Sequence, residues 1–461
     1  MIKKLLFTGC FFCTTVLFAT PQNSALNARI QQIIKAAAPN ASNGLLFLNS
    51  KTGKILYQHN ADQYFAPASV TKLFTAIATL YHLGTDYTYN TQLLQKNNNI
   101  YLRFVGDPSL TINNLTQLIQ TLKTQRIKGD FILDTTYFQA PDYPPGLTYE
   151  DLGWYYAAPV TSVILNDNAV SYNVNSNVPF HDKPIIQAQN KQEANLLQIT
   201  NNIRVVDTSF AKEHCALAID MHSNNAVSLY GCTNQKADPY TQKLAIPNPT
   251  LLAKQVIQKT LEQAHIALDG KIRLGSTPEN TQFIASHQSK PLQHLITTML
   301  QESDNTYANS FAKTLGHAIT GEGSFKQSIF AIKQILKKHT AIDVECLDLS
   351  DGAGNRLNLL SPRLIAELLM QIQQKPALYA ALKQSLPKAG IAGNLQYRMQ
   401  DEALKGRVIA KTGTMHDIVT LAGYLYPQEG DAIVFVMMTN QMVGDVDEVR
   451  TMQESILKHF L

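Results

Sequence analysis

The chain is poor in charged residues and in cysteine, and it has no long apolar run after its first 19 residues. Only 16% of its 461 residues are charged, and the net charge of +4 is spread without long basic runs, so no nucleic-acid partner is expected. The lack of a later stretch of about 20 apolar residues predicts at most peripheral contact with a membrane. The hydrophobic fraction of 45% is enough for large cores. The oligomeric state does not follow from these features.

The first 19 residues are typical of a secretory signal peptide. Lys3 and Lys4 precede an apolar run from Leu5 to Phe18, which is too short for a comfortable membrane span. We expect cleavage after Ala19. Leu17 occupies a position where a small residue is preferred, so an uncleaved anchor is the alternative.

Two of the five cysteines would leave with the signal peptide. The segment CALAIDMHSNNAVSLYGC, from Cys215 to Cys232, alternates like two strands around a turn at Ser223-Asn224. With that turn the two cysteines lie directly opposite each other, so we expect a disulfide across the hairpin. Cys346 is then unpaired, and we expect it to be a buried apolar side chain.

Two kinds of pattern follow each other along the rest of the chain. Residues 20–86 and 286–461 combine helical patterns with apolar runs at hairpin spacing, whereas residues 87–285 hold short β-like runs separated by Asn, Asp, Gly and Pro. We predict an α/β (α+β) fold, with an antiparallel sheet flanked by helices and a large β-rich insertion. Residues 171–244 are expected to form a nested subdomain within the insertion.

The triplet Lys-Thr-Gly occurs twice. The first copy, Lys51 to Gly53, lies between two alternating apolar runs and is expected to form the turn of a β-hairpin. The second copy, Lys411-Thr412-Gly413, lies in a β pattern and is followed by Thr414. Because Gly413 has no side chain, a ligand backbone could approach this strand closely, and the Lys and Thr could hold an anionic tail.

The pattern Ser-x-x-Lys occurs five times, at Ser69, Ser209, Ser310, Ser385 and Ser455. A nucleophilic serine needs a neutral amine nearby, and a Ser and a Lys three residues apart share one face of a helix. Ser69 and Lys72 stand at the start of an apolar helix, where free N–H groups and the positive helix end favour a reacting carbonyl and a neutral lysine. The alternative for Ser69 alone is an ordinary first-turn residue. Ser310 is expected on the solvated face of an amphipathic helix.

Ser303-Asp304-Asn305 lies between two helical patterns. A loop there can present short polar side chains to a cleft, although Ser303 or Asp304 could also simply cap the second helix. The order Ser-x-x-Lys, Ser-Asp-Asn and Lys-Thr-Gly is that of penicillin-recognising serine enzymes, and the joint occurrence is much less probable by chance than any single match.

With these motifs the sequence resembles the low-molecular-mass class C penicillin-binding proteins, which are D-Ala-D-Ala carboxypeptidases and endopeptidases of the bacterial cell wall. That family has a penicillin-binding, transpeptidase-like domain with a long insertion between its first two motifs, as expected here. Further family-like stretches are GDPSL, PGLTYEDLGWYYAAPV, DGAGNRLNLLSP and LPKAGIAGNL. The third is one residue shorter than the usual family pattern, which affects the placement of Arg356.

The resemblance implies a role for each motif residue. Ser69 would be the acylated nucleophile and Lys72 the general base. Proton transfer and substrate positioning would fall to Ser303, Asn305 and Lys411. Two lysines close together would each disfavour the other's charge, which helps to keep Lys72 neutral. The backbone N–H groups of Ser69 and Thr414 would form the oxyanion hole, and Thr412 and Gly413 would also bind substrate.

Members of the family also recognise the free amino and carboxyl end of a diaminopimelate side chain. The matching stretches assign this role to Asp151, Tyr156 and Arg356, although Tyr156 could equally be a core aromatic. The implied substrates are peptidoglycan peptides in the periplasm, and β-lactams are implied as covalent inhibitors. The resemblance implies no cofactor and no metal.

Three functions are compatible with these motifs to different degrees. A D-Ala-D-Ala carboxypeptidase with endopeptidase activity leads, and the sequence does not set the balance between the two activities. A β-lactamase would have to deacylate a penicilloyl-Ser69 rapidly, and it would have no need of the large insertion. A non-catalytic muropeptide-binding protein would have no need of the complete motif set.

Overall fold

The computed structural model of the chain describes residues 21–210 and 215–461, so the expected signal peptide lies outside the described residues. The main helices are α1 (Pro21–Ala37), α2 (Lys72–Leu83), α3 (Ile112–Gln120), α4 (Pro249–Gln263), α5 (Leu292–Glu302), α6 (Asn305–Thr320), α7 (Phe325–His339), α8 (Pro362–Gln373), α9 (Pro376–Ser385) and α10 (Val446–Leu457).

The strands fall into three groups along the chain. The first two are β1 (Ser42–Asn49) and β2 (Ile55–His59). Those of the inserted region are β3 (Asn90–Lys96), β4 (Asn99–Arg103), β5 (Arg126–Ile127), β6 (Phe131–Asp134), β7 (Ala169–Asn175), β8 (Ile185–Ala188), β9 (Gln198–Val206), β10 (Leu217–His222), β11 (Ala226–Asn234), β12 (Tyr240–Ala245), β13 (Ala267–Leu268), β14 (Ile272–Leu274) and β15 (Gln282–Gln288). The last are β16 (Val408–Met415), β17 (Ile418–Leu425) and β18 (Ile433–Asn440).

The first and last strands form one antiparallel sheet in the order β16-β17-β18-β1-β2. Helices cover both faces, which explains why the central strands β17 and β18 are buried along their whole length. Leu45 and Phe47 of β1 join one core with α1 and α10, whereas Leu46 and Leu48 join another with α2 and with α5 to α9. The predicted antiparallel sheet flanked by helices is confirmed.

The inserted region begins and ends on neighbouring strands. The chain leaves through β3 and returns through β15, which pairs with β3 antiparallel. Together with β4, β6 and β14 they form a second five-stranded sheet, in which β4, β6 and β14 run parallel. Helices α3 and α4 pack on this sheet. The sequence did not reveal these two helices, because their polar residues resemble those of the surrounding loops.

The middle of the inserted region forms two smaller sheets. They have the orders β12-β7-β8 and β10-β11-β9. Their strands run from residue 169 to residue 245, close to the range 171–244 that was expected to form a nested subdomain. The domain boundaries at residues 87 and 285, which fall just before β3 and inside β15, stay predictions.

A disulfide joins Cys215 and Cys232, whose Cα atoms are 5.3 Å apart. The two residues are not directly opposite, because the turn between β10 and β11 is one residue longer than predicted. Asn225 occupies the additional position with φ 60°, and Leu217 therefore pairs with Gly231. The disulfide therefore joins two positions that are offset by one residue along the paired strands.

Among the cysteines that the structure describes, Cys346 is the free one, and it is exposed. The prediction that Cys346 is a buried apolar side chain is therefore wrong. It ends a short 3-10 turn in which Val344 takes the buried position. The Cys346 thiol donates a hydrogen bond to the Asp343 carboxylate at 3.3 Å.

Helix α6 is buried between α2 and α7. Its polar residues Ser310 and Lys313 have no exposed surface, so the expected solvated face is wrong. The final helix, α10, packs Val449 and Ile456 into the core beneath the main sheet, as predicted. Within residues 21–210 and 215–461, no helix combines the length and apolarity needed to cross a membrane.

Candidate active site

Ser69 and Lys72 meet where a short turn leads into a buried helix. Ser69 lies in the 3-10 turn Ala68–Thr71, and Lys72 is the first residue of α2. The Lys72 side chain has no exposed surface, and its Nζ lies 2.8 Å from Ser69 Oγ. Ala68 has φ 47°, a conformation that costs free energy for a residue with a side chain and that occurs preferentially at functional sites.

The Lys72 ammonium group has two further acceptors. Its Nζ lies 2.6 Å from Asn305 Oδ1 and 2.9 Å from the Ala353 carbonyl oxygen. Burial lowers the pKa of Lys72 to about 8, against the opposing effect of the negative charges of Asp351 and Asp304. The neutral amine that could accept a proton from Ser69 is therefore accessible near neutral pH.

The loop between α5 and α6 serves both as a helix cap and as part of the cleft. Ser303 ends α5 with φ 60°, and the Asp304 side chain caps α6 by accepting from the Tyr307 N–H at 2.9 Å. Asn305 accepts from Lys72 through Oδ1 and donates through Nδ2 to the Tyr156 carbonyl at 2.8 Å. Burial and the charge of Asp167 raise the pKa of Asp304 to about 6.

The second Lys-Thr-Gly copy lies on β16, one of the two edge strands of the main sheet. Lys411 is buried, and its Nζ lies 2.9 Å from Ser303 Oγ and 2.9 Å from the Thr412 carbonyl oxygen. Burial and the charge of Lys72 lower the pKa of Lys411 well below its ordinary value. The structure therefore brings the three motifs together through the pairs Ser69–Lys72, Lys72–Asn305 and Ser303–Lys411.

Close packing within the protein requires a glycine at position 413, a reason that the sequence did not indicate. A Cβ atom at this position would lie 2.2 Å from Thr420 Oγ1 and 2.8 Å from the Pro67 carbonyl oxygen. The missing side chain thus lets β16 approach the segment before Ser69. Gly354 allows a similar approach, because its Cβ would lie 1.9 Å from the Ala68 carbonyl oxygen. The approach of a ligand to β16 at Gly413 stays a prediction.

A cleft of about 560 Å³ opens beside Ser69. Its walls include Ser303, Asn305, Thr412 and Thr414. A larger cleft of about 940 Å³ lies in the inserted region between α3, α4 and β12. We assign the chemistry to the smaller cleft, because the nucleophile and the motif residues line it.

One end of this cleft holds the three residues from the family-like stretches. Arg356 Nη2 lies 3.7 Å from Asp151 Oδ2, and the Tyr156 hydroxyl lies 3.4 Å from Asp151 Oδ1. Tyr156 is 40% exposed, so its alternative as a core aromatic is wrong. Burial and the charge of Asp151 raise the pKa of Tyr156 to about 12, which keeps its hydroxyl a neutral donor.

Sequence reasoning missed the acid that shapes the loop behind Lys72. Asp351 Oδ1 accepts from the N–H groups of Gly354 and Asn355 at 2.8 and 3.1 Å, and from Asn358 Nδ2 at 2.9 Å. These bonds fold residues 351–358 so that the Ala353 carbonyl faces Lys72. The closely spaced Asp, Gly and Asn residues, which favour turns, were the available indication.

The fold and the site together define a class of protein, the penicillin-binding serine enzymes with a lysine beside the nucleophile. The chain matches the model of the D-Ala-D-Ala carboxypeptidase 3 (S13) family over residues 26–458. It therefore belongs to that family of peptidases.

Two curated relatives and one solved structure illustrate the similarity. The chain is 29% identical to D-alanyl-D-alanine carboxypeptidase DacB of Haemophilus influenzae, over 95% of this chain and 93% of the relative. It is 26% identical to the D-alanyl-D-alanine carboxypeptidase of an Actinomadura species, over 88% and 79% of the two chains. The crystal structure of penicillin binding protein 4 (dacB) from Haemophilus influenzae matches with a TM-score of 0.83 at 27% identity, covering 94% of this chain and 99% of that chain.

Proposed function

We propose that the chain is a serine D-Ala-D-Ala carboxypeptidase and DD-endopeptidase that acts on peptidoglycan stem peptides and cross-links through an acyl-Ser69 intermediate. The observation that carries this proposal is the 2.8 Å contact between Ser69 Oγ and the buried Lys72 Nζ beside an open cleft. The names of the relatives in Haemophilus influenzae and Actinomadura, both D-alanyl-D-alanine carboxypeptidases, support the choice of substrate.

Acylation begins with transfer of the Ser69 hydroxyl proton to neutral Lys72. Ser69 Oγ then forms a bond to the carbonyl carbon of the penultimate D-Ala, and the carbonyl oxygen becomes an oxyanion. The backbone N–H groups of Ser69 and Thr414 stabilise that oxyanion. Because the hydrogen bonds to Asn305 and Ala353 hold Lys72 in place, no reorganisation is needed at the moment of reaction.

Collapse of the tetrahedral intermediate breaks the peptide C–N bond. The proton that Lys72 took from Ser69 passes to the leaving amine through the Ser303 hydroxyl, which lies 2.9 Å from Lys411 Nζ, so Lys72 becomes neutral again. In a stem peptide this amine belongs to the terminal D-Ala, and in a cross-link it belongs to diaminopimelate of the neighbouring strand. Water then hydrolyses the ester and restores the Ser69 hydroxyl.

The terminal carboxylate of the substrate binds along β16. Thr412 and Thr414 line the cleft there, and Lys411 supplies the positive charge behind them. The lowered pKa of Lys411 does not prevent this role, because an incoming carboxylate favours the charged form of a lysine.

The free end of a diaminopimelate side chain binds at the part of the cleft that holds Asp151, Tyr156 and Arg356. Its ammonium group pairs with Asp151, and its carboxylate pairs with Arg356. The Tyr156 hydroxyl donates to Asp151 Oδ1 and so orients the Asp151 carboxylate. The three residues lie close enough to act on a single zwitterionic group, which supports the assignment.

The same serine would accept β-lactams, and the chain would act in the periplasm after export. The crystal structure of penicillin binding protein 4 from Haemophilus influenzae in complex with a β-lactam matches this chain at 26% identity with a TM-score of 0.78, over 94% and 99% of the two chains. A β-lactam carbonyl would occupy the position of the substrate carbonyl and leave a penicilloyl ester on Ser69.

The proposal is tested by treating the wild-type protein and a Ser69→Ala variant with labelled penicillin and, separately, with a pentapeptide muropeptide. We expect a lasting label and D-Ala release with wild type and neither with the variant. Rapid turnover of penicillin without D-Ala release would indicate a β-lactamase instead. If wild-type protein gave neither a label nor released D-Ala, the chain would be a non-catalytic muropeptide-binding protein.

A further inference from the structure

A second Ser-x-x-Lys match, at Ser310, has its lysine buried as deeply as Lys72. Lys313 has no exposed surface, and its Nζ donates to three backbone carbonyls. The acceptors are the oxygens of Gln139, Pro141 and Val160, at 3.1, 2.9 and 2.9 Å. An ammonium group has three N–H donors, so this arrangement uses all of them.

The three carbonyls lie at the two ends of one loop. We call residues 142–160 the recognition loop, because it carries Asp151 and Tyr156. The Val160 N–H donates to the Asp142 carbonyl at 2.8 Å and closes the loop at its base. Lys313 therefore binds the chain both immediately before the loop, at Gln139 and Pro141, and at its last residue.

Helix α6 holds the recognition loop at a second point. Asn305, at the start of α6, donates to the Tyr156 carbonyl at 2.8 Å. Lys313 follows eight residues later, which is about 12 Å further along the helix. The helix that supplies the Ser-Asp-Asn motif thus fixes both the base of the loop and the segment next to the Tyr156 side chain.

Two aromatic rings surround the Lys313 ammonium group beside the three carbonyls. The Phe325 ring centroid lies 4.4 Å from Nζ and the Phe138 centroid 5.7 Å from it. Burial lowers the pKa of Lys313 to about 8, against the effect of the Asp142 charge. Replacing Lys313 by an apolar side chain would leave buried carbonyls without donors, so the base of the loop would have to move to reach water.

We propose that Lys313 is a positioning residue that fixes the recognition loop and so sets the affinity of the enzyme for the diaminopimelate end of its peptide substrate. This inference rests on the proposed function. It assigns specificity, rather than bond cleavage, to the second buried Ser-x-x-Lys lysine. Lys72 and Lys411 bond to Ser69, Ser303, Asn305 and backbone carbonyls outside the loop. Asn305 links Lys72 to the Tyr156 carbonyl, far from the base of the loop that Lys313 holds, so we expect loss of Lys313 to change the affinity for the diaminopimelate end much more than the acylation rate.

The test uses the full chain, a Lys313→Met variant and two peptides ending in D-Ala-D-Ala. One peptide has a free diaminopimelate end, and in the other that end is blocked by N-acetylation and amidation. For Lys313→Met we expect KM for the free peptide to rise roughly tenfold, since a small displacement of a binding group has effects of at least this size. We expect kcat, turnover of the blocked peptide and penicillin acylation to stay within about twofold.

Lys383→Met is the matched control. Lys383 also contacts aromatic rings, those of Tyr426 and Tyr379, at 4.3 and 5.8 Å from the centroids, but it lies on α9. Its loss should leave the preference for the free peptide unchanged. Hydrogen exchange of the amides in residues 142–160 should accelerate in Lys313→Met and not in Lys383→Met.

Three outcomes would overturn the inference. If Lys313→Met lowered the activity on both peptides and the rate of penicillin acylation equally, Lys313 would be a general structural residue. Unchanged kinetics would show that Lys313 does not position the loop. Wild-type protein that releases D-Ala but does not prefer the free peptide would refute diaminopimelate recognition while leaving the Ser69 chemistry intact. If Lys313→Met does not fold, Lys313→Arg provides the test, because it keeps the charge but replaces three donors on one nitrogen by a planar guanidinium group. For this variant we expect KM for the free peptide to rise about threefold, with kcat and turnover of the blocked peptide unchanged.

Discussion

Two Ser-x-x-Lys segments of this chain, at Ser69 and at Ser310, end in lysines with the same burial and different surroundings. Lys72 and Lys313 have no exposed surface, and burial lowers the pKa of each to about 8. Lys72 contacts Ser69 Oγ beside an open cleft, whereas Lys313 contacts three backbone carbonyls inside the protein. Burial and a lowered pKa therefore do not by themselves identify a catalytic lysine.

The position of the serine explains the difference. Ser69 precedes α2 in a 3-10 turn, so its hydroxyl points to the cleft and to Lys72. Ser310 lies inside α6, and its hydroxyl donates to the Gly106 carbonyl. A nucleophile needs both a base and access to substrate, and only the first segment provides both.

The largest expected effect separates the two serines. Ser69→Ala should lower the rate of penicillin acylation by a factor on the order of 10⁴ or more, because the attacking atom is lost. Ser310→Ala should leave that rate within a few fold and should cost about 1 kcal/mol of stability, since it removes one buried hydrogen bond. If a folded Ser310→Ala variant lost as much acylation activity as Ser69→Ala, the conclusion that only Ser69 is a nucleophile would be wrong. Stopped-flow acylation and thermal unfolding provide the two readouts.

The two Lys-Thr-Gly copies allow a second paired test. Lys411→Met should reduce acylation roughly 100-fold, because Ser303 loses its ammonium partner. Lys51→Met should have no effect on acylation, since the Lys51 side chain is 77% exposed in a hairpin turn. The acylation rate constants of the two purified variants provide the measurement. Unchanged acylation in Lys411→Met would remove Lys411 from the site.

The pH dependence of acylation should report Lys72. Below its pKa of about 8 the amine is protonated and cannot accept the Ser69 proton, so the penicillin acylation rate should rise with pH through a midpoint near 8. The rate constant would be measured between about pH 6 and pH 9. A profile that is flat or falls over this range would contradict a neutral lysine base.

The smallest effect distinguishes the acids near the two lysines. Asp304→Asn removes a negative charge that raises the pKa of Lys72, while Asn still caps α6, so the acylation midpoint should move to lower pH by a few tenths of a unit. Asp142→Asn changes the surroundings of Lys313 instead and should leave the midpoint in place. A shift of the midpoint to higher pH in Asp304→Asn would show that the sign of this interaction is wrong.

The sequence predicted the parts of the site that depend on spacing along one element. The helical spacing of Ser69 and Lys72, the loop position of Ser303 and the strand position of Lys411 follow from local patterns, and the structure places all of them as expected. Local patterns also placed Lys51 correctly in a hairpin turn.

The sequence did not predict features that depend on contacts between distant segments. Helix α6 has an amphipathic pattern, yet its polar residues are buried because loop carbonyls satisfy them, as at Ser310 and Lys313. Asn309, one turn after Asn305, likewise accepts from the Gly352 N–H at 2.9 Å. The packing reason for Gly413 was not predicted for the same reason, because the atoms it approaches belong to Pro67 and Thr420.

The proposed reaction depends most on the identity of the acylated residue. Intact wild-type protein treated with penicillin, digested and mapped by mass spectrometry should carry one penicilloyl group, on the peptide that contains Ser69. The same peptide from untreated protein serves as the reference. An adduct on another serine, such as Ser310 or Ser303, or a modified Ser69→Ala variant, would contradict the assignment of Ser69 as the nucleophile.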